Sequence, residues 1–182
     1  MGPLDQQAPV RDGRHARRIR NMTVNFILNG EDVSLSADPM DRLSDVLREQ
    51  FGLRSVASDC RVGQCGKCLV FMDGKLVNSC LVPAFRVRGV EIVTYEGFSS
   101  TEDHAAVHEA FERRGLDLCA FCEPAVHMTV GSLLETGHRP ESDHIAEVLS
   151  SVYCTCTDPI SILEAANDAL DAKEGKKHAR SR

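Results

Sequence analysis

The 182-residue chain has no tryptophan, two tyrosines and only 5% aromatic residues. Sequence-tolerant binding of single-stranded nucleic acid relies on stacking bases against aromatic faces, so this shortage argues against that class. No apolar run approaches the roughly 18 residues that a transmembrane helix requires. Arg17-Arg18 is followed by Ile19-Arg20-Asn21-Met22-Thr23-Val24-Asn25, which lacks the apolar segment of a twin-arginine or other export leader. A cytoplasmic protein without a disulfide framework is therefore expected. The chain also lacks a nucleophile–base constellation, a phosphate-binding glycine loop and an internal repeat. Its seven histidines fall in no Cys/His ligand spacing. His104, His108, His127, His138 and His144 are expected on helix surfaces or their flanks.

What is present is ordinary for a globular protein: 42% hydrophobic and 26% charged residues, with a net charge of −6. The charge is unevenly placed. Residues 1–21 carry +3 and residues 173–182 carry +4, which leaves −13 on residues 22–172. An acidic body with basic tails is not a nucleic-acid footprint. Residues 1–21 read as a disordered basic extension, or Met22 as the natural start, and residues 173–182 as a disordered basic tail.

Eight cysteines stand out, in two groups of four. Cys60, Cys65, Cys68 and Cys80 form C-x4-C-x2-C-x11-C, whose first three members fit the plant-type iron–sulfur pattern. A [2Fe–2S] cluster takes four thiolates and is compact enough for one tight loop to supply three. Gly63 and Gly66 suit such a loop, since glycine lets backbone N–H groups approach the sulfurs. Leu69 to Met72, the turn Asp73-Gly74 and Lys75 to Ser79 read as a β-hairpin that returns Cys80 to the loop. A structural zinc is the rival, but zinc favours paired knuckles. The second group, Cys119, Cys122, Cys154 and Cys156, forms C-x2-C-x31-C-x1-C. Each of its pairs precedes a helix start, where free N–H groups and the helix dipole suit an anionic centre. Its spacing leaves iron–sulfur and zinc both open.

Around the first group the pattern is α+β. Val24, Phe26 and Leu28 alternate with polar neighbours, Asn29-Gly30 signals a hairpin turn, and Val33 and Leu35 continue the alternation. Asp41 to Phe51 reads as a helix closed by Gly52, and Val90 to Thr94 as a further strand. After Gly97 the signals turn helical. Helices are expected over His104–Arg114, from Val126 to Gly137, over Ile145–Val152, and from Asp158-Pro159, an N-cap followed by proline at N1. Four such helices would pack as a bundle.

Both cysteine spacings, in this order, resemble the iron–sulfur subunit of the molybdenum hydroxylases, the family of xanthine dehydrogenases, aldehyde oxidoreductases and aerobic carbon monoxide dehydrogenases. Cys60 to Cys68 with Gly63 and Gly66, Asp73-Gly74, Asn78-Ser79-Cys80-Leu81, Glu96-Gly97, Cys119, Cys122, Pro124, Cys154, Cys156 and Thr157 carry the resemblance, which spans about residues 22–170. It implies a β-grasp ferredoxin-like domain over 22–97 and a four-helix-bundle domain over 98–172, each with one [2Fe–2S] cluster on the eight cysteines. It also implies partners: a large molybdopterin-binding subunit and a medium FAD-binding subunit, assembled as a heterotrimer or its dimer. This chain would be the non-catalytic electron-transfer subunit, relaying electrons from molybdopterin to FAD, with no substrate pocket of its own. Two other classes compete. One is a free-standing iron–sulfur redox sensor; the other is a ferredoxin domain joined to a zinc-stabilised interaction module.

Two positions depart from the family pattern. Leu118 stands where the family commonly has a glutamine that hydrogen-bonds the pterin. Thr155 stands where it commonly has an arginine between the last two cysteines. The missing cation beside the second cluster disfavours the reduced, more negative state and lowers its potential. Thr155→Arg is accordingly expected to raise that potential, as read by redox titration of the cluster's EPR signal.

Overall fold

A computed structural model describes residues 21–57, 59–136 and 139–180, the last five of these by backbone alone. Residues 1–20 of the expected extension over 1–21, His138 and Ser181-Arg182 lie outside the described residues.

Strand β1 (Met22–Leu28) turns into β2 (Glu31–Ala37) through Asn29 at φ 52° and Gly30 at φ 84°. Positive φ at both central positions gives the twist that a two-residue hairpin needs. The second hairpin repeats the device, joining β3 (Leu69–Met72) to β4 (Lys75–Asn78) through Asp73 at 48° and Gly74 at 74°. Strand β5 (Glu91–Val93) comes last in sequence yet lies in the middle of the sheet, whose order is β2-β1-β5-β3-β4. It pairs parallel to β1, with Ile27 opposite Glu91, and antiparallel to β3, with Phe71 opposite Val93.

Helix α1 (Leu43–Glu49) buries Leu43, Val46 and Leu47 against one face of the sheet, where they meet Val24, Phe26, Leu35, Val70 and Ile92. Its spacing of apolar residues is that of a one-sided helix. The helix stops two residues short of Phe51, and Gly52 then turns the chain at φ 68°.

The helices follow: a single turn α2 (Tyr95–Phe98), α3 (Glu102–Arg113), α4 (Glu123–Leu134), α5 (Ser142–Leu149) and α6 (Pro159–Arg180). The expected boundary after Gly97 falls inside α2, a turn too short to announce itself by periodicity. Thr101 caps α3 by accepting from the N–H of His104 at 3.1 Å. Asp158 caps α6 by accepting from the N–H of Ser161 at 2.9 Å. Helix α4 sits at the centre, buried from Pro124 through Gly131 and again at Leu133 and Leu134. A helix apolar all round must be enclosed, and α3, α5, α6, β3 and β4 enclose it.

The tail is a correction to the sequence expectation. Helix α6 continues to Arg180 rather than ending at residue 172. Ala, Lys and Glu favour helix there, and the flank is tied down: Lys173 reaches Asp103 at 2.8 Å, and Arg139 pairs with Asp171. Arg114 adds a clamp between the end of α3 and α6, donating to Asp168 at 2.6 and 3.1 Å and to Glu164 at 2.5 Å.

Strand β3 serves both cores. Val70 joins the α1 side, while Leu69 joins the helical core and Phe71 packs with Phe98 and Met128. The unbroken apolar run at 69–72 thus reflects burial on two faces. Around α2, polar groups fix the junction. Asn29 accepts from the N–H of Thr94 at 2.8 Å, and a Cβ on Gly97 would stand 2.4 Å from its Oδ1. Glu96 accepts from the hydroxyls of Ser55 at 2.6 Å and Thr94 at 2.7 Å.

Burial pushes the Glu96 carboxyl up, but the Ser55 and Thr94 donors outweigh it and hold the group below its ordinary value. A depressed carboxyl stabilises the fold above its unfolded pKa and loses that contribution as pH falls through the folded one. Glu96→Gln is expected to cost about 1 kcal/mol at pH 7. The gap to wild type should close below about pH 4. Paired thermal melts at each pH, in which shared acid effects cancel, measure it.

Candidate iron–sulfur centres

The first cysteine loop runs from α1 into β3. Its backbone is shaped by three left-handed positions, Arg61 at φ 58°, Gly63 at 74° and Gly66 at 70°. The resulting fold of the chain turns N–H groups toward the Cys60 sulfur, and the amide of Cys65 donates to it at 3.4 Å. The N–H groups of Val62 and Cys65 hold the Cys60 thiol down at about 6. Such a nest of amides favours an anion. Cys68 and Cys80 are buried to 2% exposure, and burial pushes the Cys68 thiol up to about 12. Ser79 positions Cys80: its N–H and its hydroxyl both donate to the carbonyl of Cys68, at 3.1 and 2.6 Å. The hairpin therefore returns the fourth cysteine as its turn signals suggested. Ser79–Leu81 itself is a 3₁₀ turn rather than the end of a strand. The Cys60 side chain neighbours that of Cys65, and the Cys68 side chain that of Cys80.

The second set converges from two interhelical loops. The sulfurs of Cys119, Cys122 and Cys156 lie within 4.8 Å of one another, and Cys154 stands 3.3 Å from Cys156. Cys122 is the residue that begins α4, and the amides of Cys122 and Glu123 turn back to the carbonyl of Cys119. Burial and the crowding sulfurs of Cys154 and Cys119 push the Cys122 thiol well above its ordinary value. Burial also raises Cys154, but hydrogen bonds with Cys156 outweigh it and leave the group lowered. All eight cysteines are free thiols. Sulfur-only donor sets, the second converging and the first arranged as two neighbouring pairs, suit a soft cationic centre.

The two loops touch. The carbonyl of Cys65 accepts from the N–H of Tyr153 at 3.0 Å, so one hydrogen bond joins the residue before Cys154 to the first loop. Gly66 makes this approach possible: a Cβ there would lie 2.3 Å from the Ser151 carbonyl oxygen and 2.9 Å from the Val152 Cα.

Leu118 packs against the helical core, and Thr155 is exposed at the loop between the last two cysteines. The histidine expectation needs correction at one residue. His108 and His144 are exposed, but His127 is 2% exposed on the enclosed helix α4. Burial, then the neighbouring His104 and His108, lower its pKa to about 3, so the ring is neutral. Its Nδ1 is buried and has no hydrogen-bond partner among the described residues. The i, i+4 pairs His104–His108 on α3 and Glu123–His127 on α4 were the available signal.

A side chain at position 66 must displace backbone, whereas at Gly74 it meets nothing within 4 Å. Gly74→Ala is expected to cost only the left-handed penalty, about 1–2 kcal/mol. Gly66→Ala should lose about 1–3 kcal/mol more through forced displacement. Parallel urea denaturation of the two variants measures the difference.

Comparison with known proteins agrees with this geometry. A 2Fe-2S iron-sulfur cluster binding domain model matches residues 26–89, and a [2Fe-2S] binding domain model matches residues 94–167. The nicotinate dehydrogenase small FeS subunit of Eubacterium barkeri is 33% identical over 153 residues, covering 84% of this chain and 98% of that one. The xanthine dehydrogenase iron-sulfur-binding subunit of Escherichia coli O157:H7 is 36% identical, covering 85% of this chain and 96% of that one. Among solved structures, quinoline 2-oxidoreductase from Pseudomonas putida 86 superposes with a TM-score of 0.76 at 31% identity, covering 86% of this chain and 98% of that one. With two [2Fe–2S]-binding domains in tandem, matched nearly end to end by small FeS subunits, this chain belongs to the iron–sulfur subunit family of the molybdenum hydroxylases.

Proposed function

We propose that this chain is the electron-transfer subunit of a molybdenum-dependent hydroxylase or dehydrogenase, a wire of two [2Fe–2S] clusters with no substrate chemistry of its own. Residues 22–97 form the β-grasp ferredoxin-like domain, in which Cys60, Cys65, Cys68 and Cys80 hold one cluster. In this reading Cys60 and Cys65 share one iron, and Cys68 and Cys80 the other. Helices α3 to α6 form the four-helix domain, in which Cys119, Cys122, Cys154 and Cys156 hold the second cluster. Electrons pass from a molybdopterin-bearing partner to the helical-domain cluster, then to the ferredoxin-domain cluster, and on to a FAD-bearing partner.

The Cys65–Tyr153 hydrogen bond carries this reading. It brings ligand loops from two separate cores into backbone contact, which a relay requires and two independent structural metals do not. The surface supports partners over a free-standing sensor. Val62, Leu81, Phe121, Tyr153 and Ile160, all within or beside the cysteine loops, are 60–68% exposed. Large apolar side chains gathered around one pair of sites mark a surface that another protein covers. Among the described residues no helix is long and apolar enough to cross a membrane.

The second set is compact enough for zinc as well, so metal counting is the test. Four irons and four acid-labile sulfides per chain, with two distinct [2Fe–2S] EPR signals after dithionite reduction, are expected. Large and medium subunits should co-purify. Two irons with one zinc would overturn the relay.

A further inference from the structure

The helical half contains a donor cluster that uses none of the eight cysteines. His108 on α3 and Glu123 and His127 on α4 each offer a ligand atom, and the three atoms lie within 4.8 Å of one another. The helix repeat explains the convergence: Glu123 and His127 are one turn apart on the same face of α4, and α3 packs alongside. We propose that His108, Glu123 and His127 bind a single divalent transition-metal ion of the zinc class, at a site separate from both cysteine sets.

The donor set selects the ion. Two neutral imidazoles and one carboxylate suit zinc and its late first-row neighbours, whereas magnesium and calcium require mainly oxygen. Three protein ligands beside open space is the pattern that leaves a fourth position for water. A recess of about 120 Å³ opens onto these side chains, walled also by Phe111, Asp117 and Leu118.

The surrounding contacts are those of a held ligand set. Tyr95 donates its hydroxyl to Glu123 at 3.0 Å and meets His104 Nε2 at 3.1 Å. Glu112 lies 3.4 Å from His108 Nε2. Phe111 meets the His127 ring edge-on at 4.9 Å. Hydrogen-bonding partners behind ligands orient them and tune affinity. Packing alone does not account for the cluster, because the buried Nδ1 of His127 remains unpaired. An orphaned buried nitrogen costs about 1–3 kcal/mol, a penalty that ligation through this atom would offset.

The test uses the full chain with its clusters in place, dialysed against micromolar zinc while iron and zinc are counted separately. One zinc per chain is expected, with the iron count unchanged. Zinc-edge X-ray absorption should show nitrogen and oxygen neighbours at about 2.0–2.1 Å. His108 is half-exposed, so His108→Ala should fold normally, and together with Glu123→Gln it should weaken zinc binding at least tenfold. Tyr95→Phe, which removes the hydroxyl that Glu123 and His104 share but none of the three ligands, should weaken it by about 10–100-fold. Absence of zinc uptake, uptake unchanged in His108→Ala, or a sulfur shell at about 2.3 Å accompanied by loss of iron would each overturn the site. Because iron is counted in the same sample, a failure of the two-cluster reading is distinguishable from a failure of this one.

Discussion

The close approach of two backbones at Gly66 is the constraint from which the rest of the molecule can be understood. The Cys65 loop is anchored in the sheet core through Cys68, and the Ser151 to Tyr153 segment in the helical core through Val152. Between them there is room for a hydrogen bond but not for a methyl group. A loop held this close must be rigid, and its rigidity comes from both ends. Ser79 ties Cys80 back to the Cys68 carbonyl, and Arg61 pairs with Asp45 on α1. On the other side, Val152 is buried in the helical core while Tyr153 stays in the open. Electron tunnelling falls steeply with distance, so a relay gains most where nothing but main chain separates its two ligand loops.

Much of this was legible in the residues. The turn dipeptides Asn29-Gly30 and Asp73-Gly74 announce hairpins because few residues tolerate positive φ, and both turns adopt it. The cysteine spacings announce two ligand sets because a loop of fixed length can deliver sulfurs only to a nearby point. Caps and apolar spacing announce α3 and α6. The rest depends on contacts distant in sequence. Nothing in Val90 to Thr94 tells that β5 will lie between β1 and β3, since an apolar strand of three residues pairs equally well at an edge. His127 read as a surface residue because periodicity assigns one polar face to every helix, whereas α4 has none. The length of α6 was hidden for the opposite reason: its last turns look solvated, and the ion pairs to Asp103 and Arg139 come from elsewhere in the chain.

The surface divides by chemistry in a way that matches the interior. Where α6 faces solvent it is held by charges, with Arg114 engaging two carboxylates through three of its donors. Single exposed pairs are weak, but a fork that meets two acids at once restricts its own motion less expensively per contact. Around the cysteine loops, by contrast, Val62, Leu81, Phe121 and Tyr153 stand exposed among polar residues such as Arg61, Gln64 and Thr155. Most of the large exposed apolar side chains thus collect at the edge where the cysteine loops come to the outside.

Strand β3 carries a consequence for how such a protein can change. Its four residues supply side chains to two cores at once, Val70 to one and Leu69 and Phe71 to the other. The two halves therefore cannot be exchanged between relatives as independent modules. A transplanted helical half would arrive with an α4 cut to fit a different Leu69 and Phe71, and a transplanted sheet would present the wrong side chain to Met128. An exchange at the junction near residue 97 would disturb packing about thirty residues away on either side, at Phe71 and at Met128.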